Sequence, residues 1–321
     1  MLSRRRLLLS SAVTTGALTL AGCGWFDPTV QGRGSQGSAT PEPNPGADQL
    51  RAVSWLDEMT RALAAVTTAV GANGTQRAWA LSCTAALGFQ ELVLRRPDPL
   101  SGALPEPIEP PPTTATPPVP IATALTRLTS VAQARSSDLL AVATAAAAGA
   151  PALLWGSLAL FARGCATVAT NTAMHPVVDQ KVLPHRIDPV PLGEAQGVLV
   201  AHLYRAEQAV PGLVGALPSG DLRTTLRERL TALARLRVDV QTDMRESGAT
   251  PPPPEPGYEL PERPTADNVG PVMGAIETDV SNALAGVFSA SDDRAAAFET
   301  WAGQSANVTR WTGLSRFPGW V

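Results

Sequence analysis

From Asp48 to the C-terminus, apolar positions recur at helical spacing in eight runs, and two long proline-rich breaks divide the runs into sets. Leu50, Val53, Leu56, Met59, Leu63, Val66 and Val70 predict a helix over 48–70, stopped by Gly71-Ala72-Asn73-Gly74. A second helix over about 75–95 lines up Trp79, Cys83, Ala86, Gln90 and Val93. A third, over about 121–148, carries Ile121, Leu125, Leu128, Val131, Leu139 and Val142. Gly149-Ala150-Pro151 then turns the chain into a fourth with Leu154, Leu158, Phe161, Cys165 and Val168 on one face.

The pattern begins again at Leu192. A fifth helix to about 217 uses Leu192, Ala195, Leu199, Leu203, Ala206, Val210 and Leu213, with Pro211 expected to kink or shorten it. The sixth has Asp221 as its expected cap and Leu222, Leu226, Leu230, Leu233, Leu236, Val240 and Met244 as its stripe. A seventh spans about 266–289 and an eighth about 292–312, the latter through Phe298, Trp301, Ser305, Val308 and Trp311. The proline-rich stretches 97–120 and 251–264 fall between the second and third helix of each set and read as extended crossovers. The fold class is therefore all-α, with two tandem four-helix bundles over 47–174 and 192–321 joined by a connector over 175–191, an arrangement suggestive of duplication. A chain of 321 residues is long enough for two separate cores.

The stretch Leu139 to Ala162 contains no charged residue, which admits a membrane span as well as a buried hairpin. The Gly-Ala-Pro break in its middle and its many alanines favour the hairpin.

Ahead of the bundles, residues 1–22 have the form of an export signal: Arg4-Arg5-Arg6, the apolar run Leu7 to Leu20, and small residues before Cys23. Ser3-Arg4-Arg5 followed by leucines resembles a twin-arginine signal, and a Sec route is the alternative. Leu20-Ala21-Gly22-Cys23 resembles the bacterial lipobox, so Cys23 is expected to be acylated and to become the N-terminus of a protein held on the outer face of the cell membrane. Residues 23–46 are rich in Gly, Ser, Thr and Pro and read as a flexible tether. The glycines of Gly32-Arg33-Gly34-Ser35-Gln36-Gly37 match a dinucleotide-binding loop formally, but no strand precedes them and no helix follows. Thr113, Thr114 and Thr116, in the first crossover, are either O-glycosylated or plain loop.

Charge and cysteine count follow from that cleavage. Of 25 basic residues, loss of Arg4, Arg5 and Arg6 leaves 22 against 28 acidic ones, a formal charge of −6 that argues against a nucleic-acid partner. With Cys23 assigned to lipid, Cys83 and Cys165 remain as a pair in an oxidising compartment. If the second and fourth helices are antiparallel neighbours, their heights differ by three residues, about 4–5 Å, which suits a disulfide. Two buried free thiols are the alternative.

The second half carries further marks: Tyr258-Glu259-Leu260-Pro261 at the end of the crossover, Glu277 in the next helix, and Trp311 followed by Phe317-Pro318-Gly319. On these, residues 190–321 resemble an actinobacterial ferritin-like domain family of unknown function found in exported or lipid-anchored proteins. Ala206-Glu207-Gln208-Ala209 looks like that family's Ala-Glu-His-Ala segment, with Gln208 where the imidazole would be. The resemblance implies a ferritin-like bundle; with Gln208 in place of the imidazole no cofactor is expected, and iron or manganese is the alternative.

Such di-iron sites need carboxylates from four helices and two Glu-x-x-His pairs, and the chain has no Glu-x-x-His. Glu194, His202, Glu207 and Glu277 are the residues left for a degenerate site; otherwise they are solvated carboxylates and a hydrogen-bonded histidine. His175, Asp179, His185 and Asp188 sit in a connector with no fixed ligand spacing. No Gly-x-Ser-x-Gly elbow and no phosphate-cradling loop is present. Arg223, Arg227, Arg229, Arg235 and Arg237 read as a solvated basic face of the sixth helix. The functional expectation is a lipid-anchored, non-enzymatic binding or scaffolding module whose partner is an envelope or membrane protein. A ferritin-like metalloprotein or oxidoreductase, or a carrier of an apolar ligand, is the alternative.

Overall fold

The computed structural model describes residues 45–103, 117–170, 174–258 and 265–320. The signal, Cys23, most of the tether, Thr113, Thr114, Thr116 and Glu259-Leu260-Pro261 lie outside the described residues. The described chain is all-helical: α1 (Ala47–Thr68), α2 (Gly74–Leu94), α3 (Ile121–Ala145), α4 (Ala150–Ala169), α5 (Leu192–Ala216), α6 (Asp221–Glu246), α7 (Val269–Ala290) and α8 (Arg294–Trp311). Each boundary lies within a few residues of the one periodicity predicts, because the turns are written in local chemistry. At the start of α2, Asn73 Oδ1 accepts from Gln76 N (2.8 Å) while Gln76 Oε1 accepts from Asn73 N (2.9 Å), a reciprocal cap. Asp293 Oδ1 accepts from Ala296 N (3.0 Å) at the start of α8.

Two local expectations fail. Asp221 is the first residue of α6, with Gly220 at the cap position and no side-chain cap, so its carboxylate acts on the helix dipole alone. Pro211 does not shorten α5, which runs on to Ala216. The proline lies on the exposed side, where water can solvate the Glu207 carbonyl that the missing N–H leaves free.

The four helices of each set are arranged alike. The hairpin pairs α1/α2, α3/α4, α5/α6 and α7/α8 are in close contact, as are the first and third helices, α1/α3 and α5/α7. The second and fourth stand further apart. The first crossover ends beside the turn between α1 and α2, where Val70 N donates to Val119 O (2.9 Å) and Ile121 N to Val70 O (3.0 Å), so α3 runs antiparallel to α1. The second crossover is held to α5 through Gln208, whose Oε1 accepts from Tyr258 N (2.8 Å).

The two sets share one continuous hydrophobic core rather than two. The link is α4, which contacts α7 and α8 as well as α3 and buries 17 of its 20 residues. A helix that is apolar all round must be buried, and this accounts for the charge-free stretch. Although Ala150–Ala169 is long and apolar enough to cross a membrane, the stretch is split between α3 and α4 by Gly149 at φ 81°, and α4 is enclosed by its neighbours. Polar contacts reinforce the seam. From α8, Arg294 Nη1 donates to Thr144 O (3.0 Å) and Ala146 O (2.8 Å), capping the C-terminal carbonyls of α3.

Candidate functional site

The ionisable residues of the second set converge through α6. Its inward face is not purely apolar. Arg229 and Arg237, eight residues apart, share the side that carries Leu226 and Leu233 and turn toward the bundle, while Arg235 is exposed. The reading of all five arginines as a solvated face is thus corrected for these two.

Arg229 makes a two-pronged pair with Glu277 of α7, Nε to Oε1 and Nη2 to Oε2, both at 2.7 Å. Glu277 is 0% exposed. Gln304 of α8 completes the cluster: its Nε2 donates to Glu277 Oε2 (2.7 Å) and to the Glu277 carbonyl (2.9 Å), and its Oε1 accepts from Arg229 Nη2. Both carboxylate oxygens are therefore engaged, and the buried charge is compensated by a planar fork that matches it.

Glu207 of α5 has its own arginine. Arg237 Nε donates to Glu207 Oε1 (2.7 Å), Arg237 Nη1 donates to Gln241 Oε1 (3.0 Å), and Gln241 Nε2 donates to Tyr204 Oη (2.9 Å). The guanidinium also lies 4.7 Å from the centre of the Tyr204 ring. The Glu207 hydrogen bond is the main reason that the Arg237 guanidinium is held above its usual range.

His202 is half-buried on α5, and burial is the main cause that pushes its pKa down; the nearby Arg205 adds to the fall and Asp279 opposes it. Arg205 Nη1 pairs with Asp279 Oδ2 at 2.9 Å. Glu194 is exposed in the first turn of α5, 13 residues before Glu207 and so roughly 20 Å away along the helix. The four residues put forward for a degenerate metal site do not come together, and among the described residues no three His, Cys, Asp or Glu side chains could hold a cation. An iron or manganese centre does not fit this donor set, since a guanidinium already holds each of Glu207 and Glu277. The connector residues also stay apart. Asp179 accepts from Arg316 Nη2 (2.8 Å), His185 Nδ1 lies 3.0 Å from the Leu183 carbonyl, and Asp188 is exposed.

In the first set, Cys83 and Cys165 are fully buried thiols facing one another across α2 and α4. Burial foremost, then the hydrogen bond to Cys165, pushes the Cys83 thiol well above the ordinary thiol range. Here periodicity missed a carboxylate pair. Glu91, largely buried on α2, is pushed up to about 7 by burial first and by neighbouring Asp57 second, against the pull of Arg95 at 3.6 Å. Because its folded pKa is raised from 4.5 to about 7, the native state binds more protons than the unfolded chain between those values. Stability is then lost as pH rises through 7, and Glu91→Gln removes that loss. In thermal melts the variant should match the parent near pH 5 and exceed it near pH 8; equal melts at both would show that Glu91 titrates normally.

Residues 205–321 match a family model described as a domain of unknown function (DUF4439). The match takes in Glu207, Arg229, Glu277 and Gln304 and leaves out the whole first set. No curated protein and no solved structure matches the chain.

Proposed function

We propose that this chain is a lipid-anchored protein of the cell envelope whose helical body serves as a non-enzymatic binding or scaffolding module. Two sequence features support the address: the basic and apolar leader, and the Leu20-Ala21-Gly22-Cys23 motif in front of a Gly- and Pro-rich tether. The observation that carries the module reading is the Arg229–Glu277–Gln304 cluster. The most buried carboxylate among the described residues of the second bundle, one of those put forward for a degenerate metal site, is used to fasten α6, α7 and α8 together. The same feature speaks against a degenerate metalloprotein. In an oxidising compartment, Cys83 and Cys165 would lose two electrons and two protons to an oxidised dithiol partner and form a bridge across α2 and α4.

The address is tested by Cys23→Ser in the native host. The parent should sediment with membranes and yield an N-terminal peptide whose residue 23 carries acyl chains, while the variant should be released in soluble form or retain its leader. A parent protein with an unmodified Cys23 behind residues 1–22 would remove the anchor from this reading.

A further inference from the structure

The open side between the second and fourth helices is treated differently in the two sets. In the first it is filled by the chain's own tail. Leu314 lies against Gly164 of α4, and Phe317 sets its ring edge-on to Phe89 of α2 at 6.4 Å. Arg316 lies 4.1 Å over the Phe89 ring. Glutamines hold the backbone of this segment, which turns between Phe317 and Trp320: Gln90 Nε2 donates to the Arg316 carbonyl, Gln180 Oε1 accepts from Phe317 N (2.8 Å), and Gln180 Nε2 donates to the Trp320 carbonyl.

In the second set the corresponding side, between α6 and α8, is a groove of about 420 Å³, within the size range of ligand pockets. Leu199, Leu236, Val240 and Leu284 supply apolar lining. Asp239 and Asp243, one turn apart on α6, give one edge its negative charge, and Asp293 stands on the opposite helix. Asp239 meets only the outer limit of a contact with Arg235 at 4.0 Å, and Asp293 caps α8. Gln196 also lines the groove; it is 7% exposed, and its Oε1 is buried without a hydrogen-bond partner. A buried amide oxygen calls for an N–H donor.

We infer that this groove binds a short peptide segment in which a basic residue adjoins an aromatic one. Gln196 Oε1 accepts a backbone N–H of the segment, as Gln180 Oε1 accepts from Phe317 N in the tail. The aromatic side chain enters the apolar floor, and the cation lies along Asp239 and Asp243, relieving the repulsion between two like charges one turn apart. The tail of this chain, with Arg316 beside Phe317, is the internal precedent that selects a peptide over a small organic cation. The inference rests on the reading of the body as a binding module and is independent of the anchor, because it is tested without membranes.

The test uses the full chain in mild detergent and a synthetic peptide, Ser-Arg-Phe-Pro-Gly-Trp, with a fluorophore at its N-terminus and a photoreactive group on its phenylalanine. Saturable binding is expected, with crosslinks to α6 and α8 near Leu236, Val240 and Ala297. The double variant Asp239→Asn/Asp243→Asn, whose changes are on exposed side chains, should bind about tenfold more weakly, and a peptide with Glu in place of Arg should lose affinity to a similar extent. Three results would each overturn the inference: no binding up to about 1 mM peptide, equal affinity for parent and double variant, or crosslinks at Phe89 and Gly164, which would mean that the peptide merely exchanges with the tail. Module failure is read separately, by crosslinking in intact envelopes: a protein that captures no neighbour there while the purified groove still binds peptide would count against the scaffold and not the groove.

Discussion

Arg229→Met is expected to destabilise the protein by about 3–5 kcal/mol, the cost of leaving a buried carboxylate without its counter-charge. The reason lies in the asymmetry between building and breaking a buried pair. Bringing Arg229 and Glu277 together out of water gains little, since desolvation offsets most of the attraction, but Glu277 at 0% exposure has no route back to solvent once the guanidinium is gone. Gln304 alone supplies one donor to a side chain that now receives three. The variant must therefore hold a buried carboxylate with one donor in place of three. Urea unfolding of the parent, Arg229→Met, Glu277→Gln and the double variant separates the pair from its members. The double variant should recover a large part of the loss, because an amide at position 277 can still accept from Gln304 without carrying charge. If Arg229→Met cost less than about 1 kcal/mol, in the range of exposed ion pairs, water must reach Glu277 and the cluster would not fasten the three helices.

Much of this architecture is legible in the sequence, and what is not has a physical cause. Helix positions follow from apolar spacing and from turn residues, both local quantities; hence Asn73 and Gly149, inside the predicted breaks, stand at boundaries that the structure keeps. The matching heights of Cys83 and Cys165 follow from helix rise once α2 and α4 are taken to run antiparallel. The single core was not legible, since nothing local distinguishes an apolar helix serving one bundle from an apolar helix serving two. In retrospect α4 carries the signal: glycines at 156 and 164 on a helix without charge before Arg163 mark places where other chains of side groups come close, Phe288 at one and Leu314 at the other. The candidate site was half legible. Glu207 and Glu277 stand among the four candidates that the sequence offers, but their arginine partners read as solvent-facing because arginine is usually exposed. Arg229 sits three residues beyond Leu226 and four before Leu233, a core register that was available in the sequence and outweighed by residue type. Gln304, three residues after Trp301 on α8, was missed for the same reason.

Phe288→Ala is expected to cost about 3–5 kcal/mol and to lower the stability of both sets together. The ring is fully buried on α7, where it fills the space left by the missing side chain of Gly156 on α4 and contacts Phe298 (6.1 Å between centres) and Trp301 (5.3 Å) of α8. Its loss leaves a cavity where α4, α7 and α8 meet through a single side chain. Because α4 supplies core surface to both sets, the first bundle without α7 and α8 would expose apolar faces of α4 to water, at about 25 cal/mol for each Å² uncovered. Cooperative unfolding is the consequence. Tryptophan fluorescence does not discriminate, since Trp79 and Trp301 lie on opposite sides of the seam; thiol labelling does, because Cys83 and Cys165 report only on α2 and α4. Under reducing conditions the labelling midpoint in urea should shift with the helical midpoint in Phe288→Ala. A thiol midpoint that stayed at the parental value while helix content fell in an earlier step would show that the first bundle stands without the second, and that α4 lends its far face to α7 and α8 without depending on them.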